Sequence, residues 1–199
     1  MLKKWIVSSV LTLWLFSVSI TAIAQDTSTT KSSAAATSNE KVSKLADAWL
    51  GVWKGKAQSI SPAGVNVTFD MQIEIKLLND PSRYEWKTVF SGPQGDVVKA
   101  YELIPQTKIN HFVIDEKNSI LIDATLLGDT LSSHFTVQDQ TIWCQYHLAE
   151  EQGETYLTFD LYSASTSNAK SSGAKDGIPE VKSLIPTTRQ TARLKKQKS

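Results

Sequence analysis

Few side chains in this sequence could do chemistry. Three histidines (His111, His134 and His147) and a single cysteine (Cys144) are its whole stock of soft metal ligands and strong nucleophiles. If the segments around them are paired strands, Asp123 lies opposite His134, with His147 diagonal on the next strand. Asp123, His134 and His147 would then form one polar cluster able to bind a metal or move a proton. They alternate, however, with Ile122, Phe135, Cys144 and Tyr146, so an inward apolar face turns the cluster to solvent. Cys144 needs a neighbouring histidine or cation to become a nucleophile, and it reads instead as a small buried apolar residue. The sequence contains no phosphate-binding loop, no zinc-ligand pair at helical spacing and no G-x-S-x-G turn. A catalytic triad need not be contiguous, but no set of residues calls for one. An isomerase- or hydrolase-type enzyme is therefore the least favoured of three readings.

The segment from Asp96 to Ile104 has a different signature. Pairing Phe90 with Val97 turns Val97, Lys99, Tyr101 and Leu103 inward; a slip of one residue turns Val98, Ala100, Glu102 and Ile104 inward instead. Either choice puts a charge inside, and a mostly apolar pocket with a few polar groups is how small-molecule sites are built. Lys99, with Tyr101, Tyr84 and Thr88 near it, is a candidate anchor for a ligand head group. The alternative is a bulge or strand end from which the charge reaches solvent. Trp53, Trp86, Phe90, Phe112, Phe135 and Tyr146 complete the candidate ligand-binding set as its aromatic wall. No catalytic residue, metal or cofactor is indicated.

The elements that must position these residues are strands. From Val65 to Leu77, apolar and polar residues alternate without a break, the period of a half-buried strand. Thirteen residues at about 3.3 Å each span roughly 43 Å, so this strand must bend around a curved sheet. An earlier strand alternates through Trp49, Gly51, Trp53, Gly55 and Ala57. A turn over Asn79, Asp80, Pro81 and Ser82 sets Leu77 opposite Tyr84, Ile75 opposite Trp86 and Met71 opposite Phe90. A three-residue loop, Glu116 to Asn118 with Asn118 left-handed, predicts Ile114 facing Ile120 and Phe112 facing Ile122. Gly128-Asp129 sets Leu126 against Leu131. Asp139-Gln140 pairs Phe135 with Cys144 and Val137 with Ile142. A turn over Glu150 to Gly153 brings Tyr146 to Leu157, Cys144 to Phe159 and Ile142 to Leu161. Each loop puts apolar opposite apolar, which predicts an all-β, antiparallel up-and-down meander of about ten strands.

Ala164 to Ile185 reads as a long loop. Thr187 to Lys196 is either a disordered basic tail or a last strand with Thr188, Gln190, Ala192 and Leu194 on one face. Pairing such a strand with the first would close the meander into a barrel and remove both exposed edges.

At the N-terminus, Lys3 and Lys4 precede an apolar run from Trp5 to Ile20 and the sequence Ala22-Ile23-Ala24, the pattern of a secretory signal peptide cut after Ala24. Gln25 to Ser38 reads as a flexible spacer. Thr37 and Glu40 have capping-box spacing, and Val42, Leu45, Ala46 and Trp49 follow at helical intervals, predicting a short helix that would plug one end of the barrel. The domain organisation expected is a signal peptide (1–24), a spacer (25–38), a barrel domain (39–196, with a loop over 164–186) and a short tail (197–199). The address expected is periplasmic or secreted, with no membrane span after cleavage. No cysteine follows the cut site, so a lipid anchor is not expected. Twenty-one Lys and Arg balance 20 Asp and Glu, for a net charge of +1, which gives no reason to expect nucleic acid as a partner. One cysteine allows no intrachain disulfide.

With Leu50-Gly51-Val52-Trp53-Lys54-Gly55 opening its first strand after a lead-in helix, the chain resembles the calycin superfamily of lipocalins, fatty-acid-binding proteins and nitrobindin-like barrels. Gly51, Val52 and Trp53 match the lipocalin G-x-W motif. The resemblance implies that Trp53 closes one end of the barrel under an arginine from a late strand, Arg189 or Arg193. It also implies an interior charge that anchors a ligand head group, as in fatty-acid-binding barrels. A second, T-D-Y-type lipocalin motif is missing, as is the H-P-T-G-like segment of nitrobindin haem ligation. The first functional expectation is thus an exported binding protein for a small, mostly apolar ligand. The second is a cell-envelope interaction module whose barrel is filled by its own side chains; its partner protein is not specified by the sequence.

Overall fold

The computed structural model describes residues 43–80 and 82–198. Twelve strands follow in order: β1 (Gly51–Ser61), β2 (Gly64–Leu77), β3 (Tyr84–Gly92), β4 (Gly95–Pro105), β5 (His111–Asp115), β6 (Leu121–Leu127), β7 (Thr130–Val137), β8 (Gln140–Glu151), β9 (Glu154–Ser165), β10 (Lys170–Ser172), β11 (Val181–Ser183) and β12 (Pro186–Lys196). Ten of them form a closed antiparallel barrel in the order β1-β12-β9-β8-β7-β6-β5-β4-β3-β2, while β10 and β11 pair separately. The expected meander is therefore present and closed. β12 is a strand, not a tail: it pairs with β1 from Trp53↔Lys196 to Ile60↔Arg189 and with β9 on its other side. Gly55 permits that seam, because a Cβ there would overlap the Arg193 carbonyl oxygen. The connection expected to be a plain loop carries a 3-10 turn, Thr166–Asn168, and the β10–β11 ribbon.

Facing residues on β2 and β3 pair as expected: Leu77↔Tyr84, Ile75↔Trp86 and Met71↔Phe90. Leu126↔Leu131 also holds. Three hairpins are offset by two residues from the expected register. Phe112 faces Ala124 and Ile114 faces Ile122; Phe135 faces Ile142 and Ser133 faces Cys144; Tyr146 faces Phe159, Cys144 faces Leu161 and Leu148 faces Leu157. The β7–β8 turn is Gln138-Asp139, and the β8–β9 turn is Gln152-Gly153, because Gln138 and Gln152 themselves take positive φ (53° each). The β5–β6 loop has five residues, with Lys117 and Ser119 rather than Asn118 at positive φ. There the Asp115 and Asn118 side chains accept from the Lys117 and Ile120 N–H groups, so local side-chain capping satisfies the longer loop. An offset of two leaves each residue on its expected face, since strand side chains repeat every second residue.

The signal peptide, the spacer and the start of the expected lead-in helix lie outside the described residues. Within them, the approach to β1 ends in a 3-10 turn, Asp47–Trp49, after an extended Ala46. Among the described residues no helix is long and apolar enough to cross a membrane.

Candidate functional site

Among the described residues the aromatic and polar ligand-binding candidates converge on the inward face of the barrel. At one end Trp49 and Trp53 are fully buried. Trp53 Nε1 donates to the Trp49 carbonyl (3.0 Å), and the Leu45 N–H donates to the Tyr84 hydroxyl (3.1 Å), so the segment entering β1 is tied across this end. The cation over Trp53 is neither Arg189 nor Arg193. Lys196 Nζ lies 5.1 Å from the Trp53 ring centroid and donates to the Ala48 carbonyl (2.9 Å). The two arginines face outward, Arg189 over Tyr162 and Arg193 over Tyr156. The reason is parity: Gln190, Ala192 and Leu194 are buried, so their odd-numbered neighbours on β12 point away.

Above this plug an aromatic ladder crosses the interior. Ring centroids are 6.3 Å apart for Trp49–Trp86, 4.9 Å for Trp86–Tyr146 and 5.3 Å for Tyr146–Phe159, within the range in which edge-to-face and tilted pairs attract. Phe90 packs edge-on against Phe69 (5.9 Å). Small buried residues, Ala57, Ser59, Ser133, Ser163 and Ala192, are distributed among the strands around them.

The register Phe90↔Val97 turns Lys99 and Tyr101 inward, with Lys99 opposite Thr88. Glu102 points out and is held by Arg83 and Lys117. All ten residues nominated by the sequence lie on the inward face. Trp53, Tyr84, Trp86, Thr88 and Phe112 are buried, and Phe90, Lys99, Tyr101, Phe135 and Tyr146 are half-buried. Two buried hydroxyls among them and their neighbours, Tyr101 Oη and Ser59 Oγ, have no hydrogen-bond partner among the described residues. A buried donor left unpaired costs about 1–3 kcal/mol, so both mark places where a polar group is accommodated well. Burial raises the Tyr101 pKa, and the Glu116 carboxylate adds to the rise while falling short of hydrogen-bond geometry to Tyr101 Oη. Burial likewise pushes the Cys144 thiol up to about 12 against a smaller opposing contribution from Tyr146, and it drives the Tyr146 hydroxyl well above its ordinary value. A thiol held protonated in this way is a packing group and not a nucleophile.

The outward polar cluster does not assemble as expected. Asp123 pairs with His111 (3.0 Å), His134 packs against Trp143, and His147 meets Thr130. Asp123 faces Val113, with His111 diagonal to it, and the β6–β7 pairing stops at Ala124↔Ser133, short of His134. Among the described residues no group of three His, Cys, Asp or Glu could hold a metal ion. Trp49 and Phe159, which the sequence placed at the plug and on the apolar face, join the candidate residues here, whereas sequence reasoning missed Ser59, Glu116 and Lys196. Glu116 was hidden in a loop read two residues too short.

A closed ten-stranded antiparallel meander, sealed at one end by tryptophan, defines the class: a barrel of the calycin-like kind. Two solved structures are similar to it. The S-type phycobiliprotein lyase CPES from Guillardia theta superimposes with a TM-score of 0.53 at 11% sequence identity, covering 77% of this chain and 90% of that one. A protein of unknown function from the DUF3598 family, from Nostoc punctiforme, superimposes with a TM-score of 0.51 at 13% identity over 76% of this chain. This chain spans about half (48%) of the latter's length. At such identities the likeness concerns the fold. No family model matches the sequence, and no curated protein matches it.

Proposed function

We propose that this chain is an exported, lipocalin-like member of the calycin superfamily that holds a small, mostly apolar ligand inside its barrel. Export, to the periplasm or beyond, rests on the leader pattern of Lys3 to Ala24. The observation that carries the binding reading is the presence of an aromatic ladder and two unpartnered buried hydroxyls on the inward side of one closed barrel. Such a surface combines large apolar area with a few polar contacts, the usual composition of a small-molecule site. Lys99 is the anchor for a polar or charged end of the ligand, in company with Thr88 and Tyr101. Similarity of fold to a phycobiliprotein lyase is compatible with a small-molecule role and identifies no ligand.

A second reading, an interaction module, is favoured by one observation. Trp143 is 52% exposed on the outer face, with His134 and Tyr162 directly opposite it on the two flanking strands. Native mass spectrometry of protein purified from its own source separates the two readings. A stoichiometric bound small molecule, lost or weakened in Lys99→Met, supports carriage. A clean apo mass, with Trp143→Ala abolishing a protein partner, supports interaction.

A further inference from the structure

The barrel wall is not equally deep all the way round. β4 has eleven residues, but it pairs with β5 only from Glu102 to Pro105, so among the described residues its first part is paired on the β3 side alone. β7 behaves alike: its partners on β8 run from Thr130 to Val137, while those on β6 stop at Ser133. Between these two half-free edges stands the short β5–β6 hairpin, whose tip lies at residues 116–120. Three strand spacings of about 4.8 Å separate the edges by roughly 14 Å. That is a shallow stretch of wall, a notch at the hairpin tip of a width comparable to an alkyl chain or a ring system edge-on.

The side chains at the notch differ from those at the plugged end. Val97, Lys99, Tyr101 and Phe135 turn inward here and are half-buried, whereas Leu103, Phe112 and Leu131 further down are shut off. Two residues on the rim with inward parity, Ile120 and Val137, are 44% and 40% exposed, an apolar lip on an otherwise polar loop region. Lys117 Nζ binds Glu102 Oε1 (2.8 Å) and so holds the hairpin tip against β4. Just inside, the Tyr101 hydroxyl is buried without a partner among the described residues, and Glu116 follows Asp115, the partner of Glu102, so that the β4–β5 register carried one step further brings Glu116 beside Tyr101. A ligand carboxylate placed on Tyr101 would meet a like charge in a poorly solvated site. A neutral oxygen would accept the phenol's hydrogen without that repulsion.

We infer, on the reading that the barrel binds a ligand, that the ligand enters laterally through the notch between β4 and β7 and rests a neutral oxygen acceptor (carbonyl, ether or hydroxyl) on the Tyr101 hydroxyl, with Glu116 keeping carboxylates from that point. Any charged end belongs at Lys99, one inward position nearer the rim.

The test uses the barrel with two dyes: Nile red, which is neutral and carries a ring carbonyl, and anionic 1-anilinonaphthalene-8-sulfonate. Loss of one hydrogen bond predicts Nile red binding about tenfold weaker in Tyr101→Phe. Glu116→Gln should leave Nile red unchanged and tighten the anionic dye several-fold. Ile120→Asp should slow stopped-flow uptake and release of Nile red by the same factor, leaving its Kd unchanged. Circular dichroism checks the fold of each variant, and should Tyr101→Phe not fold, the dye preference of Glu116→Gln carries the test. Unaltered affinity in Tyr101→Phe, unaltered preference in Glu116→Gln or unaltered rates in Ile120→Asp overturns this inference and leaves the binding reading standing. A wild-type barrel that takes up neither dye overturns the binding reading itself, and this inference with it.

Discussion

Glu102 sits on the outer face of β4 between two cations, with Lys117 Nζ 2.8 Å from one carboxylate oxygen and Arg83 Nη1 2.9 Å from the other. The hydrogen bond from Lys117, followed by that from Arg83, holds its pKa below the ordinary carboxylate value. The sign of the linkage follows. A carboxylate with a depressed folded-state pKa adds stability that is fully present above its unfolded pKa, about 4.3, and is lost as pH falls through the lower folded value. Glu102→Gln should therefore lower the urea midpoint at pH 7 by an amount corresponding to about 0.5–1 kcal/mol, the scale of partly exposed ion pairs. Below pH 4.3 the gap between variant and wild type should close; a gap that stays constant down to pH 3 would exclude this linkage. That Glu102 faces outward and Lys99 inward was an open alternative in the sequence. Only the partner strand decides parity, and the strand's own residues supply a charge on either face.

At the scale of elements, the seam between β1 and β12 is the most exacting contact in the barrel. Gly55 stands so close to the Arg193 carbonyl that a methyl group has no room. Gly55→Ala should cost about 1–3 kcal/mol, as overpacking does, and lower the thermal midpoint, while alanine at Gly64, where a Cβ would meet nothing, tests backbone strain alone because Gly64 has φ of 115°. If Gly55→Ala melts with the wild type, the seam is looser than its geometry. The hairpins show what a sequence can say about elements. Gln138 and Gln152 are poor markers of a turn, yet both take positive φ, so two turns were placed one or two residues away from their true positions. Alternation still assigned each flanking side chain to its proper face, because an even offset preserves parity. The end plug was less legible. Trp49 and Leu45 fit helical spacing, but burial against Trp53 and Tyr84 selects an extended approach ending in a 3-10 turn.

At the scale of the whole molecule, closure depends on a strand that arrives last. Without β12, β1 and β9 would both present unpaired edges, the usual templates for edge-to-edge association. Truncation after Ser183 should therefore yield aggregated protein or a loss of the cooperative melt by circular dichroism, and a soluble monomer with an unchanged melt would mean that the remaining nine strands close by themselves. The sequence by itself determined the class of structure, the inward and outward faces and the aromatic content of the interior, because period-two alternation is a local property that survives errors in turn placement. It also set the candidate anchor on the strand from Asp96 to Ile104. Only the tertiary structure decided which cation covers Trp53, which carboxylate stands beside Tyr101, which histidine meets Asp123 and where the wall is shallow. Each of these depends on register between strands distant in the chain, which is set by the packing of the closed barrel as a whole.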